Sequence, residues 1–171
     1  MTRFLLQLVC GLAAILIATA GEAAAQQAYD LSGLSPDVRG AAQEAREAQT
    51  LAIRASGRAQ FRVEGTVSFY TDTEASYQGE GFGSGPGAGT QRDGFGVLTW
   101  ADREFYAGQF MSADSTTGGG DMHGYGVYGF VNGHIYEGQW RHEQRNGYGV
   151  QWLPDGQILH AGLWRAGQPV D

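Results

Sequence analysis

Four histidines, His123, His134, His142 and His160, are the side chains best suited to bind a metal or move a proton, yet none stands in a zinc-type pair with a third ligand at suitable spacing. His160 occupies a repeat position held elsewhere by tyrosine and is expected to serve as one ring in a row of rings. Joint metal ligation by His134 and His160 is the lesser reading. The run Gly79-Glu-Gly-Phe-Gly-Ser-Gly-Pro-Gly looks like a phosphate-cradling loop, but no helix follows it to offer an N-terminus, so it reads as a linker. Acidic residues are scattered without a pair placed across a cleft, and no nucleophile with a neighbouring base can be named. All 11 cationic residues are arginine, which removes the ε-amine that Walker-type phosphate loops and Schiff bases require. These residues point away from catalysis, metals and cofactors.

Composition says what must position the remaining side chains. Among 171 residues there are 28 Gly, 8 Tyr, 8 Phe and 4 Trp, a mixture suited to turns and hairpins whose core leans on rings. A net charge of −7 argues against a nucleic-acid surface, which needs a basic stripe to neutralise phosphates, and disfavours contact with anionic lipid. Residues 1–25 read as a secretory leader. Arg3 precedes an apolar run from Phe4 to Ile17, and Ala23-Ala24-Ala25 before Gln26 has the small-x-small pattern of a cleavage site. Ala18-Thr19-Ala20 is a second acceptable site, and an uncleaved anchor is the rival reading. The expected setting is therefore the periplasm or cell surface of a bacterium, with membrane contact only through the leader. Cys10 lies in that leader, so a processed chain has no thiol and no disulfide.

A polar connector over 26–35 leads to Ser35-Pro36-Asp37, an N-cap, a first-turn proline and an acid that favours the helix dipole. Residues 36–57 are then helix-forming in composition up to Gly57. Val38, Ala41, Ala42, Ala45, Ala48, Ala52 and Ala55 make a shallow apolar stripe. Such a helix either projects as a solvated spacer or lies close against a sheet or a copy of itself.

From Phe61 onward the chain repeats itself. Gly94-Phe-Gly96, Gly124-Tyr-Gly126 and Gly147-Tyr-Gly149 are each followed by Val, then by a turn dipeptide (Asp102-Arg103, Asn132-Gly133, Asp155-Gly156), then by Tyr106-x-Gly108-x-Phe110, Tyr136-x-Gly138-x-Trp140 or His160-x-Gly162-x-Trp164. Asn-Gly and Asp-Gly between alternating segments are strong hairpin signals. With two-residue turns, Gly129 pairs with Tyr136, Val127 with Gly138 and Tyr125 with Trp140, which gathers Tyr125, Val127, Tyr136 and Trp140 on one face, and likewise Phe95, Val97, Tyr106 and Phe110. The opposite face then carries Trp100, Phe105, Tyr128, Phe130 and Leu153, the candidate partner-binding surface, beside Leu98 and Leu159. In the third hairpin the pairing of Trp152 with His160 and Tyr148 with Trp164 demands a longer turn or a bulge between Pro154 and Ile158.

Tyr106-x-Gly108-x-Phe110 and Tyr136-x-Gly138-x-Trp140, the latter leading into Gly147-x-Gly149, resemble the MORN-repeat family, and the Gly126 to Gly149 interval matches its repeat of about 23 residues. The resemblance covers 61–167 in about four units, the first (Gly65 to Gly79) and the last degenerate. It implies a mostly β fold, an elongated single antiparallel sheet of tandem hairpins behind the Ala-rich helix, and a non-enzymatic module for protein assembly or, in some members, phospholipid contact. The function expected is a protein-binding scaffold of the bacterial envelope, its partner unidentified. Stacking of exposed rings on envelope glycan is the alternative, with Trp100 as its probe.

Overall fold

The computed structural model describes residues 29–58, the backbone of 64–70, and residues 75–83, 91–112 and 119–170. The expected leader, its junction between Ala25 and Gln26, and connector residues 26–28 lie outside the described residues. The chain divides into two units, Met1–Asp30 and Leu31–Asp171, and every element below belongs to the second. It contains one helix, α1 (Pro36–Ser56), followed by β1 (Glu64–Tyr70), β2 (Ala75–Phe82), β3 (Gln91–Trp100), β4 (Phe105–Ser112), β5 (Gly120–Gly129), β6 (Ile135–Arg141), β7 (Gln144–Trp152), β8 (Ile158–Arg165) and β9 (Gln168–Val170). All nine strands form one antiparallel sheet in sequence order.

The signals that start and stop α1 act as their chemistry predicts. The Ser35 hydroxyl accepts from the Val38 amide, Pro36 fills the first turn, Asp37 faces the N-terminal dipole, and Gly57 donates back to the Ile53 carbonyl. The Ala stripe from Val38 to Ala55 is buried throughout. A 21-residue helix is about 32 Å long, and with strands about 4.8 Å apart it reaches across most of the sheet; α1 meets every strand from β1 to β8. Methyl side chains permit the close approach, and the stripe is used against the sheet. An ion pair fastens the layer: Arg46 Nε and a terminal nitrogen each lie 2.9 Å from a carboxylate oxygen of Glu137, and Trp152 Nε1 donates to the same carboxylate at 3.1 Å.

The register corrects the sequence reading by one residue. The loops at the three turn dipeptides, 101–103, 131–133 and 154–156, have three residues each. Phe130 Nα donates to the His134 carbonyl and Gly133 N to the Phe130 carbonyl, with Gly133 at φ 80°, and the other two loops repeat this. This is a type I turn closed by a left-handed residue, which glycine adopts without strain. The second residue of each loop, Asp102, Asn132 or Asp155, also accepts from the amide two positions on, an Asx turn that favours this geometry. The extra loop residue moves every pairing by one: Gly126 faces Gly138, Tyr128 faces Tyr136, and Tyr125 faces Gln139. In the last of these hairpins His160 faces Gln151, and a bulge does occur, at Leu159, just beyond the stretch predicted for it.

The faces are therefore exchanged between strands. Tyr77, Leu98, Tyr106, Phe110, Met122, Tyr128, Tyr136, Trp140 and Trp164 form one cluster. Val97, Ala107, Val127 and Val150 share the other face with Glu137, beneath α1.

Candidate partner-binding surface

The ring face is built from a unit repeated along the sheet. The glycines at 79, 96, 108, 126, 138, 149 and 162 fall in one row across it. A Cβ on Gly138 would lie 2.5 Å from the Cα of Gly149 and 2.7 Å from Tyr136 Oη, so the ring lies flat over two bare backbones. Each tyrosine hydroxyl then donates to the carbonyl three residues on: Tyr77 to Glu80 at 2.6 Å, Tyr106 to Gln109 at 2.8 Å and Tyr136 to Gln139 at 3.1 Å. Burial raises the pKa of all three phenols, as it does for Tyr128, so they stay protonated donors.

A second set of side chains escaped the sequence reading. Glu80, Gln109 and Gln139 follow the Tyr-x-Gly unit directly, and their side-chain oxygens accept from the amides of Phe95, Tyr125 and Tyr148 at 2.8, 2.8 and 2.7 Å. Each amide sits where the ladder slips, beside Gly79, Gly108 or Gly138. The Gly-aromatic-Gly signature is thus a bulge whose freed amide is capped by the preceding strand. The signal was present as a fourth letter, Glu or Gln, after each Tyr-x-Gly.

Edge-to-face contacts link the rings: Tyr106 to Phe110 and Trp140 at 5.1 and 5.3 Å, and Tyr136 to Trp140 and Trp164 at 5.3 Å each. The indoles of Trp140 and Trp164 donate to the carbonyls of Gly126 and Gly149, both at 3.2 Å. Arg145 lies 4.2 Å from the centre of the Trp164 ring and is held by Gln151 and the Gly167 carbonyl, each at 2.7 Å.

The five residues expected to form an outward surface do not form one. Tyr128 is buried in the ring cluster, Trp100 and Phe130 pack against it with ring centres 5.6 and 4.6 Å from Tyr128, and Leu153, half-buried, follows the same alternation. Phe105 belongs to the α1 face, opposite Gly129. Trp100 is therefore a packing residue and no clean probe of glycan binding. Among the described residues the large apolar side chains that do reach solvent are Phe82, Met111, Val131, Tyr148, Ile158 and Leu159, and the last three belong to the β7–β8 hairpin.

The titratable groups gather at one turn. His142 Nδ1 lies 3.1 Å from Asp121, its ring 5.8 Å from that of His123, and Glu143 accepts from the Met122 amide. Burial lowers the His123 pKa, helped by His142 and Arg141, and burial raises that of Glu143. Among the described residues no group of three His, Cys, Asp or Glu is placed to hold a metal ion. His134 instead faces Gln151, with Nδ1 3.3 Å from the amide nitrogen.

A ladder of like hairpins in one register, each with a ring laid over paired glycines, defines a repeat β-sheet protein. Residues 89–104, 119–135 and 136–158 match the model of the MORN repeat, so this part of the chain carries MORN repeats. The matched stretches cover β3 with its loop, β5 with its loop, and β6 through the loop after β7. No match is found among curated proteins. MORN repeats go with binding or membrane association and are generally non-catalytic.

Proposed function

We propose that the protein is a non-catalytic scaffold of a bacterial envelope, exported by the leader-like residues 1–25, which binds another protein through the end of its repeat sheet. The observation that carries this reading is the exposure of Tyr148, Ile158 and Leu159 on the β7–β8 hairpin, in a sheet whose other large described side chains mostly pack on each other or under α1. Apolar side chains left at one end of a repeat array suit a partner that covers them. The lack of lysine and the acidic balance disfavour an anionic membrane as the ligand.

The test is cross-linking capture from envelope fractions with the full-length gene product, compared with the Ile158→Ser, Leu159→Ser variant. A partner protein held by the parent and lost from the variant is the expected result, at unchanged melting temperature. Equal capture by both would reject this end of the sheet. N-terminal sequencing of the same material reads the export claim, with Gln26 expected first; recovery only from the cytoplasm rejects it.

A further inference from the structure

Two histidines that share no local motif are brought together by the ladder. His123 stands in β5 where the pairing slips, so that His123, Gly124 and Tyr125 lie opposite the single residue Gln109. Its carbonyl accepts from Tyr106 Oη at 3.2 Å, which fixes the backbone at that point. His142 and Glu143 form the turn between β6 and β7, with φ 48° and 65°. The Glu143 amide donates to the Met122 carbonyl and its carboxylate accepts from the Met122 amide, both at 3.2 Å, so the turn is clamped to the residue beside His123. Both imidazoles therefore hang from backbone that is already set.

The two rings face each other with centres 5.8 Å apart and planes at 73°. Zinc–nitrogen bonds of about 2.0–2.1 Å put a ring centre about 3.2 Å from the ion, so two imidazoles on one tetrahedral ion have centres about 5.2 Å apart. The His142 side chain is 60% exposed and is free to turn through that small difference. Asp121 Oδ2 lies 3.1 Å from His142 Nδ1; as acceptor it keeps the proton on that nitrogen and leaves the Nε2 lone pair for a ligand. Nδ1 of His123 is buried without a hydrogen-bond partner, so turning that ring breaks no bond there. Burial lowers the His123 pKa, and a neutral imidazole keeps a lone pair to give. The carboxylates of Asp121 and Glu143 stand beside Arg92 and Arg141, which balances charge around an arriving cation.

The geometry points to a two-imidazole metal site, in which His123 and His142 bind one copper, nickel or zinc ion, Asp121 orients His142, and water fills the remaining positions. Imidazole nitrogen suits these ions, whereas magnesium and calcium take oxygen ligands. Two protein ligands make an open site, in keeping with the absence of a three-residue set among the described residues. A bound ion would tie β5 to the β6–β7 turn and stabilise the folded chain by mass action. The inference goes beyond the protein-binding reading and stands apart from it.

Zn2+ added to the full chain is expected to raise its melting temperature, and EDTA to reverse the rise. His142→Ala, at an exposed position, should keep the parent's melting temperature in EDTA, and both it and His123→Gln should bind Zn2+ at least tenfold more weakly by calorimetry. His134→Ala and His160→Ala should bind as the parent does. Cu2+ on the parent should give an electron paramagnetic resonance spectrum coupled to two nitrogens, reduced to one in either of the first two variants. Asp121→Asn should weaken binding several-fold yet keep both nitrogens, with Asp121→Glu restoring most of the affinity. Equal affinity of the parent and the His142→Ala protein, or a one-nitrogen spectrum from the parent, overturns the proposal.

Discussion

The two faces of the sheet bury apolar side chains by different means. On one, Tyr77, Tyr106 and Tyr136 are fully buried although no described element is layered over them. Their rings cover bare glycine backbone and one another's edges, and their hydroxyls return to main-chain carbonyls. On the other, Val97, Ala107, Val127 and Val150 are too short to shield each other, and a helix of alanines closes over them. Large planar side chains can thus make a core within a single layer, at the cost of glycine in fixed rows, while small aliphatic ones need a second layer.

The comparison is broken most severely at the glycine row. Gly138→Val puts methyl groups where Gly149 Cα and Tyr136 Oη already stand, and should lose about 3 kcal/mol or more of stability in urea titrations. Gly162→Ala, in the same row where a Cβ would meet only the His160 ring, should change stability by only about 0.5 kcal/mol; an equal loss at both would mean that close approach is not what the row serves.

Next in size is the tie between sheet and helix. Arg46→Ala leaves the buried Glu137 carboxylate with Trp152 Nε1 as its remaining partner among the hydrogen bonds described, and should cost about 2–3 kcal/mol, the low end for a broken buried pair because the arginine is one-third exposed. The fluorescence of Trp152 should shift with it, and an unchanged spectrum and midpoint would show the helix to be held by its methyl stripe alone.

Tyr106→Phe keeps the ring stack and removes the hydroxyl bonded to Gln109, for an expected loss of about 1–1.5 kcal/mol by the same titration. A larger loss would shift weight from the rings to their polar ends.

The smallest effect is one of pH. The His123 pKa is lowered in the fold, so the stability it contributes is present above its unfolded value of about 6.5 and is lost as pH falls through the folded value. Glu143, raised by burial, has the opposite sign, its contribution being present in acid and lost as pH rises. Melting temperatures at pH 7 and pH 5 should therefore fall less for His123→Gln than for the parent; identical slopes would show that His123 carries none of the acid sensitivity.

Much of this architecture was legible beforehand, and the misses have physical reasons. The helix could be bounded from Ser35, Pro36 and Gly57 because caps act through neighbouring backbone. The hairpins could be counted from Gly-aromatic-Gly, turn dipeptide and Tyr-x-Gly. The turn dipeptides, however, suggested two-residue loops, and the extra residue that makes a left-handed closure moved every cross-strand pair by one. Alternation within each strand was right, but which strands' faces coincide was not, and so Trp100, Tyr128 and Phe130 were placed outside when Tyr128 lies in the ring cluster beside Trp140 and the other two pack against Tyr128. The capping roles of Glu80, Gln109 and Gln139 depend on a slip in the ladder that appears only once strands are paired.

Residue order alone determined the helix, the four hairpin units and the repeat, though not the short β9, because periodicity, caps and turn chemistry act over a few neighbouring positions. Tertiary structure decided the register, the face that α1 covers and the slips in the ladder that Glu80, Gln109 and Gln139 cap. Those depend on how atoms from distant parts of the chain fit together, on one residue more in a loop and on the room a missing Cβ leaves, and no single segment carries that information.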